Sequence, residues 1–300
     1  MHPRTSAVAI GAALLLGSPA LAQTPPGPPP VLVVTIEEIK PGSMGAHEKS
    51  VGSYFSLFER AKVPGRRIGL QPVSGDVNHV VYLEAHESFA DIEAASKRQE
   101  EAIAANPALQ AELERLDRES GPFHVSQKAM IATYRPDLSY QPLTMDGVAK
   151  ARYFNMTTTI LNPGKTTQYA EYMKQLNAAR EKAQVSDVHT AVYQVTSGSA
   201  PGTYLTFFMD RSLAEEDAFR KGADARNKAI TDALGGESVV KQRSEQTAQI
   251  FAPASGVSSF YSVNRALSQP APQFAAFDPD FWTPKAPGKA LAVKKDPKKP

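Results

Sequence analysis

The chain of 300 residues contains no cysteine. That excludes a thiolate nucleophile, a disulfide framework and any thiolate-ligated metal. It also closes the lipid anchor of bacterial lipoproteins, which needs a cysteine at the cleavage point. Beyond its first residues the chain lacks any apolar run near the roughly 20 residues that cross a bilayer. Excess charge of either sign is lacking, with a net of only +2, which argues against nucleic acid as a partner. A phosphate-cradling glycine loop, a Ser-His-Asp context and the spacings of zinc or calcium sites are missing too. His86-Glu87 has no second histidine to make a metalloprotease helix. Glu37 and Glu38 are neighbours on a strand and point to opposite faces, so they form no acid/base dyad. No metal and no cofactor are expected.

What is present begins with MHPRTSAVAIGAALLLGSPALAQ. A positive Arg4, an apolar stretch from Ala7 to Gly17 and the small-residue site Ala20-Leu21-Ala22 describe a cleaved secretory signal, residues 1–22. A Pro-rich spacer, 23–30, follows. The expectation is a periplasmic or secreted protein. From Gln269 to Pro300 the chain is dense in Pro and Lys, and 269–300 reads as a disordered tail. Its FDPDFW stretch is a candidate docking strip for a partner.

Between these ends, the composition of 42% hydrophobic and 21% charged residues is globular. The length suits about two domains of ~150 residues. The phrase around Pro41-Gly42 returns at Pro163-Gly164, 122 positions on (41 to 163). In each copy a β-branched strand (Val31–Ile39, Arg152–Leu161) meets Pro-Gly and then a helical pattern. Met44, His47, Val51, Tyr54, Phe55 and Phe58 mark the first helix, and Tyr169, Tyr172, Met173 and Leu176 the second. Ser74-Gly75 matches Ser197-Gly198 as a turn, and the cap at Ser88 matches Ser212. The last strands are expected at His124–Tyr134 and Lys241–Phe251. Each unit therefore reads β-α-β-β-α-β, the ferredoxin-like order. One sheet face is covered by helices. The other is half apolar, so the two sheets are expected to meet.

A strand, a Pro-Gly turn and an amphipathic helix, twice in tandem, resemble the dimeric α/β-barrel superfamily, within it the NIPSNAP-like and antibiotic-monooxygenase-like domains. The resemblance covers about 31–140 and 150–260. It implies an α+β fold in which two ferredoxin-like antiparallel sheets pack into one α/β barrel. It also implies a range of activities, among them cofactor-free monooxygenases, haem-binding and haem-degrading enzymes and small-molecule isomerases. The Pro-Gly turn marks the fold and not a reaction.

Strand alternation shortlists a site. If Phe154, Met156 and Ile160 face the helices, then Tyr153 and Asn155 face the barrel interior. The same parity sends Tyr82, Glu84 and Tyr204 inward, while parity around His189 is ambiguous. These six are the candidate ligand-binding residues, lining a cavity for a small hydrophobic or aromatic ligand. Packed β-forming residues would fill the same space without a ligand. Of the histidines, His79, His124 and His189 are candidates for a base or an axial haem ligand, and His47 reads as structural. Three functions remain open: an exported binding protein, a cofactor-independent monooxygenase or haem-related enzyme, and an interaction protein acting through its tail. A homodimer paired through open sheet edges is plausible.

Overall fold

The computed structural model describes residues 27–253 and 255–283; the segment expected to be a secretory signal and the lysine-rich end of the tail lie outside them. The first module runs β1 (Val31–Ile39), α1 (Met44–Arg60), β2 (Arg67–Pro72), β3 (His79–His86), α2 (Phe89–Ala104), α3 (Pro107–Ser120) and β4 (His124–Tyr134). A short helix, α4 (Met145–Lys150), leads into the second module. There β5 (Tyr153–Ile160), α5 (Thr166–Lys182), β6 (Ala191–Ser197) and β7 (Thr203–Asp210) repeat the order. They are followed by α6 (Leu213–Lys221), α7 (Ala223–Ala233), α8 (Glu237–Thr247) and β8 (Val257–Gln269). The chain ends in two single-turn helices, α9 (Pro272–Ala275) and α10 (Pro279–Trp282).

The Pro-Gly phrase has a backbone cause. Gly42 and Gly164 stand at φ +81 and +75, the left-handed region that side chains disfavour. Each glycine turns the chain from a strand into a 17-residue helix, α1 or α5. Ser88 and Ser212 then cap α2 and α6, their hydroxyls accepting from Asp91 N and Glu215 N.

The sheets join as expected, and completely. The strand order is a closed barrel, β1-β3-β2-β8-β5-β7-β6-β4. It consists of two ferredoxin-like sheets, β4-β1-β3-β2 and β8-β5-β7-β6, sealed by β2–β8 and β4–β6 pairs. All pairs are antiparallel. Close approach at the seams depends on glycine. A Cβ at Gly69 would strike Leu267 of β8, and one at Gly198 would strike the Ala129 carbonyl of β4. Closure also leaves no edge open in this sheet, which removes the edge-pairing ground for a homodimer.

The interior contradicts the inferred parity. Leu32, Val34, Leu70, Val81, Met130 and Phe154 form one buried cluster with Met156, Tyr193, Leu205, Phe207 and Tyr261, drawn from all eight strands. Phe154 and Met156 thus point inward, and the alternate residues point out to the helices. The reason is the closed sheet. Its inside must be dry and filled by large apolar side chains, each contributing about 1.5–3 kcal/mol of burial. The helix-facing side can carry the polar residues.

Two further corrections concern the end of the second module. Lys241–Phe251 is not a strand: most of it is α8, and the closing strand is Val257–Gln269. The segment Glu237–Thr247 is polar, with no buried residue, and cannot line a barrel. Val257–Gln269 carries Phe260, Tyr261 and Leu267 and pairs with both β2 and β5. Nor does the described part of the expected disordered tail, up to Thr283, lack structure. Phe274 is buried beside Met145 and Ala149, and Trp282 Nε1 donates to Ala149 O at 2.9 Å. Asp278 meets Arg152 there, so FDPDFW is docked on the protein's own α4 region. The end of the Pro-rich spacer is tied down too, with Tyr193 Oη donating to Pro29 O at 3.1 Å. Among the described residues no helix is long and apolar enough to cross a membrane.

Candidate functional site in the cleft over the first sheet

With the barrel filled, the main opening lies outside it, between the outer face of the first sheet and helices α1, α2 and α3. The cavity is about 780 Å³. Tyr54, Phe55 and Phe58 of α1 form an apolar wall, and Ile92 and Leu113 contribute from α2 and α3. The sheet side carries Glu37, Tyr82, Glu84, His124 and Gln127.

At the floor five polar side chains meet. Glu37 is 6% exposed and His47 is 1% exposed. A carboxylate that deep is costly unless partnered. Gln127 Nε2 donates to Glu37 Oε1 at 3.0 Å. Glu37 Oε2 lies 3.5 Å from His47 Nε2 and 3.3 Å from His124 Nε2. His47 Nε2 is also 3.0 Å from Tyr82 Oη. The two imidazole rings sit edge to face, centroids 5.2 Å apart. Burial pushes the His47 imidazole below its usual value; the Glu37 carboxylate opposes this and His124 adds to it. Burial, aided by the Glu37 charge, drives the Tyr82 hydroxyl well above its usual value. At neutral pH the floor thus holds a neutral His47 and a protonated Tyr82.

The fold explains how these residues converge. Glu37 and Tyr82 lie on adjacent strands, where Thr35 is paired with Tyr82 and Glu37 with Val80. On the other side β4 brings Gln127 opposite Glu37. The Pro41-Gly42 turn folds α1 back over β1, so His47 in its first turn returns above Glu37. His124 enters at the start of β4, where the β1–β4 register shifts.

A charged cluster closes the rim. Arg66 Nη1 donates to Asp91 Oδ2 at 2.8 Å, and His86 Nδ1 lies 3.2 Å from the same oxygen. Arg67 Nη2 donates to Glu84 Oε1 at 2.6 Å. Its guanidinium lies over the Tyr82 ring, 4.8 Å from the centroid.

The six candidate residues are divided by this geometry. Tyr82 and Glu84 belong to the cleft, but on the outer face rather than inside the barrel. Asn155 and His189 line a smaller cleft of about 280 Å³ over the second sheet. Tyr153 stacks on Phe260, centroids 5.7 Å apart. Tyr204 is buried against Tyr169, centroids 4.6 Å apart. Of the histidine candidates, His79 pairs with Asp76 and His189 Nδ1 donates to Gln141 O at 2.7 Å. Only His124 reaches the floor, where it meets His47, the histidine that read as structural. Metal-type spacing is absent from the sequence, yet three potential ligands converge in space. Glu37, His47 and His124 present ligand atoms all within 4.8 Å of one another. Their separation along the chain hid this; the signal was the equal parity of Glu37 and Tyr82 on strands that pair.

The architecture defines the class: an α+β protein in which two ferredoxin-like antiparallel sheets close into one eight-strand barrel, both halves supplied by one chain. No family profile and no curated protein matches the sequence. Among solved structures, an anthrone oxidase-like protein is similar at 15% identity and TM-score 0.47, with 78% of this chain and 91% of that one covered. A chlorite dismutase variant from Candidatus Nitrospira defluvii, in complex with cyanide, is similar at 9% identity and TM-score 0.43, with 79% and 92% covered. A NIPSNAP family protein from Agrobacterium tumefaciens is similar at 20% identity and TM-score 0.28, with 35% and 86% covered. Such likeness concerns the fold and leaves the reaction open.

Proposed function

We propose that the protein binds a small, partly apolar organic molecule in the cleft over its first sheet. One observation carries this reading: an aromatic-walled cavity of about 780 Å³ ends on the buried polar floor of Glu37, His47, Tyr82 and His124. Apolar walls supply affinity and a few convergent polar groups orient the ligand. The signal-type start of the sequence supports an extracytoplasmic setting for this binding.

Titration calorimetry against a panel of phenols, naphthols and their carboxylates tests the reading. At least one compound is expected to bind, and Tyr82→Phe and Phe58→Ala are each expected to weaken it about tenfold, roughly 1.4 kcal/mol. Asn155→Ala, in the smaller cleft, is expected to leave it unchanged. No binder in the panel, or binding lost only in Asn155→Ala, overturns the reading.

The same floor favours a second reading, turnover in this cleft. A neutral buried His47 beside a carboxylate is a base able to accept a proton from a bound molecule. The third idea, recruitment through FDPDFW, loses ground because Trp282 packs on α4 and Asp278 pairs with Arg152.

A further inference from the structure

We propose that Glu37, His47 and His124 bind a divalent transition-metal cation at the floor of the cleft. This goes beyond the organic-ligand reading and does not depend on it. The donor set is one carboxylate and two imidazoles, the borderline chemistry that suits zinc and its neighbours rather than calcium or magnesium.

The distances favour a shared centre. Bonds of about 2.0–2.2 Å around a tetrahedral cation place neighbouring donor atoms about 3.4 Å apart. Glu37 Oε2 lies 3.3 Å from His124 Nε2 and 3.5 Å from His47 Nε2. All three donor atoms lie within 4.8 Å of one another, so a single cation can touch this oxygen and both nitrogens once the imidazoles draw in around it.

Proton placement points the same way. His124 Nδ1 is 3.0 Å from Ser120 O. A carbonyl only accepts, so Nδ1 carries the hydrogen. That turns Nε2 toward the cleft floor, 3.3 Å from Glu37 Oε2. An imidazole whose far nitrogen donates to a carbonyl is also the usual support for a metal-bound histidine, since it fixes the tautomer and the ring. His47 is buried at 1% exposure, its Nδ1 has no partner, and only its Nε2 edge is engaged, aimed at Glu37 and Tyr82. Gln127 holds the other oxygen of Glu37 at 3.0 Å, which leaves Oε2 for the shared position. The centre would open toward the cavity, leaving positions for water or a ligand group.

The test is a metal titration of untagged, metal-stripped full-length protein with Zn²⁺ and with Co²⁺, no organic compound being added. One Zn²⁺ per chain is expected to bind, to raise the melting temperature and to be displaced by chelator. Co²⁺ is expected to give a visible band. Glu37→Gln, His47→Gln and His124→Gln are each expected to weaken binding at least tenfold, while His79→Gln on the surface leaves it unchanged. Circular dichroism checks each fold, and the half-exposed His124 keeps the test open if a buried variant unfolds. Absence of Zn²⁺ binding up to about millimolar concentration, or binding that survives both Glu37→Gln and His124→Gln, overturns the proposal. Because each titration contains only its own ligand, failure here and failure of the organic-ligand reading are separate results.

Discussion

The two modules share a fold and differ in what they hold against the outer face of the sheet. Strand register sets the correspondence. Thr35 pairs with Tyr82 as Thr157 pairs with Thr206, and Glu37 pairs with Val80 as Thr159 pairs with Tyr204. Helices α1 and α5 match residue for residue over 17 positions, so His47 corresponds to Tyr169. The trio Glu37, His47 and Tyr82 of module one is thus Thr159, Tyr169 and Thr206 in module two. Tyr169 and Tyr204 press together there, with Phe251 edge-on to Tyr169 at 6.1 Å. One half of the duplication fills the space under its first helix with rings, and the other keeps it open with a polar floor. The copies show that the fold does not require Glu37, His47 and Tyr82, which strengthens the case that they serve binding or chemistry.

The comparison can be broken most directly at the matched helix position. Tyr169→Ala removes a buried ring from a packed cluster and is expected to cost about 3 kcal/mol or more. His47→Ala opens onto a cavity that already exists and is expected to cost about 1–2 kcal/mol, chiefly from unpairing Glu37 and Tyr82. Denaturant unfolding of both variants decides it, and equal losses would mean that the His47 site is structural in the same way.

The matched caps give the control. Ser88→Ala and Ser212→Ala each remove one side-chain acceptor from a first-turn N–H, at 3.1 and 3.3 Å. Each is expected to cost about 1 kcal/mol, and the pair should agree within about 0.5 kcal/mol. A larger gap would show that the modules differ in their scaffold and not only in the site.

The smallest effect sharpens a charge difference. His86, opposite Val31, corresponds to Asp210, opposite Tyr153. His86 meets Asp91, whereas Asp210 faces like charges. Burial, then Glu216 and Glu215, push the Asp210 carboxyl up to about 6, with Arg220 opposing. The folded-state value lies above the ordinary 3.8, so the acid form favours folding. That contribution is complete below pH 4 and is lost as pH rises through 6. Asp210→Asn is expected to remove this slope. It should also raise stability above pH 6 by at most about 1 kcal/mol, since a half-exposed position is screened. Melting curves from pH 4 to 8 measure it; an unchanged slope would place the titration elsewhere.

Much of the fold was legible because its signals are local. Pro41-Gly42 and Pro163-Gly164 break strands through backbone conformation, Ser88 and Ser212 cap helices, and alternation marks the strands. The duplication then yields two ferredoxin-like units and the meeting of their sheets. The last strand was misplaced at Lys241–Phe251 because the repeat calls for a strand near that position and only Ile250 and Phe251 there are apolar enough to suggest one. The choice of Val257–Gln269 depends on which segment can pair with both β2 and β5.

The site was less legible. Alternation identifies two faces of a strand but does not say which becomes the inside of a closed barrel. Tyr82 and Glu84 were therefore grouped correctly and turned the wrong way. His47 and His124 lie 77 positions apart in the chain (47 to 124) and carry no motif. Sequence by itself determined the repeat, the turns, the caps and the absence of thiol chemistry, all of which act within a few residues. Tertiary structure alone decided which face is dry, how α1 lies over β1, and that Glu37, His47, Tyr82 and His124 share one floor. Those outcomes follow from closing eight strands into a ring, a packing condition that no short stretch of the chain contains.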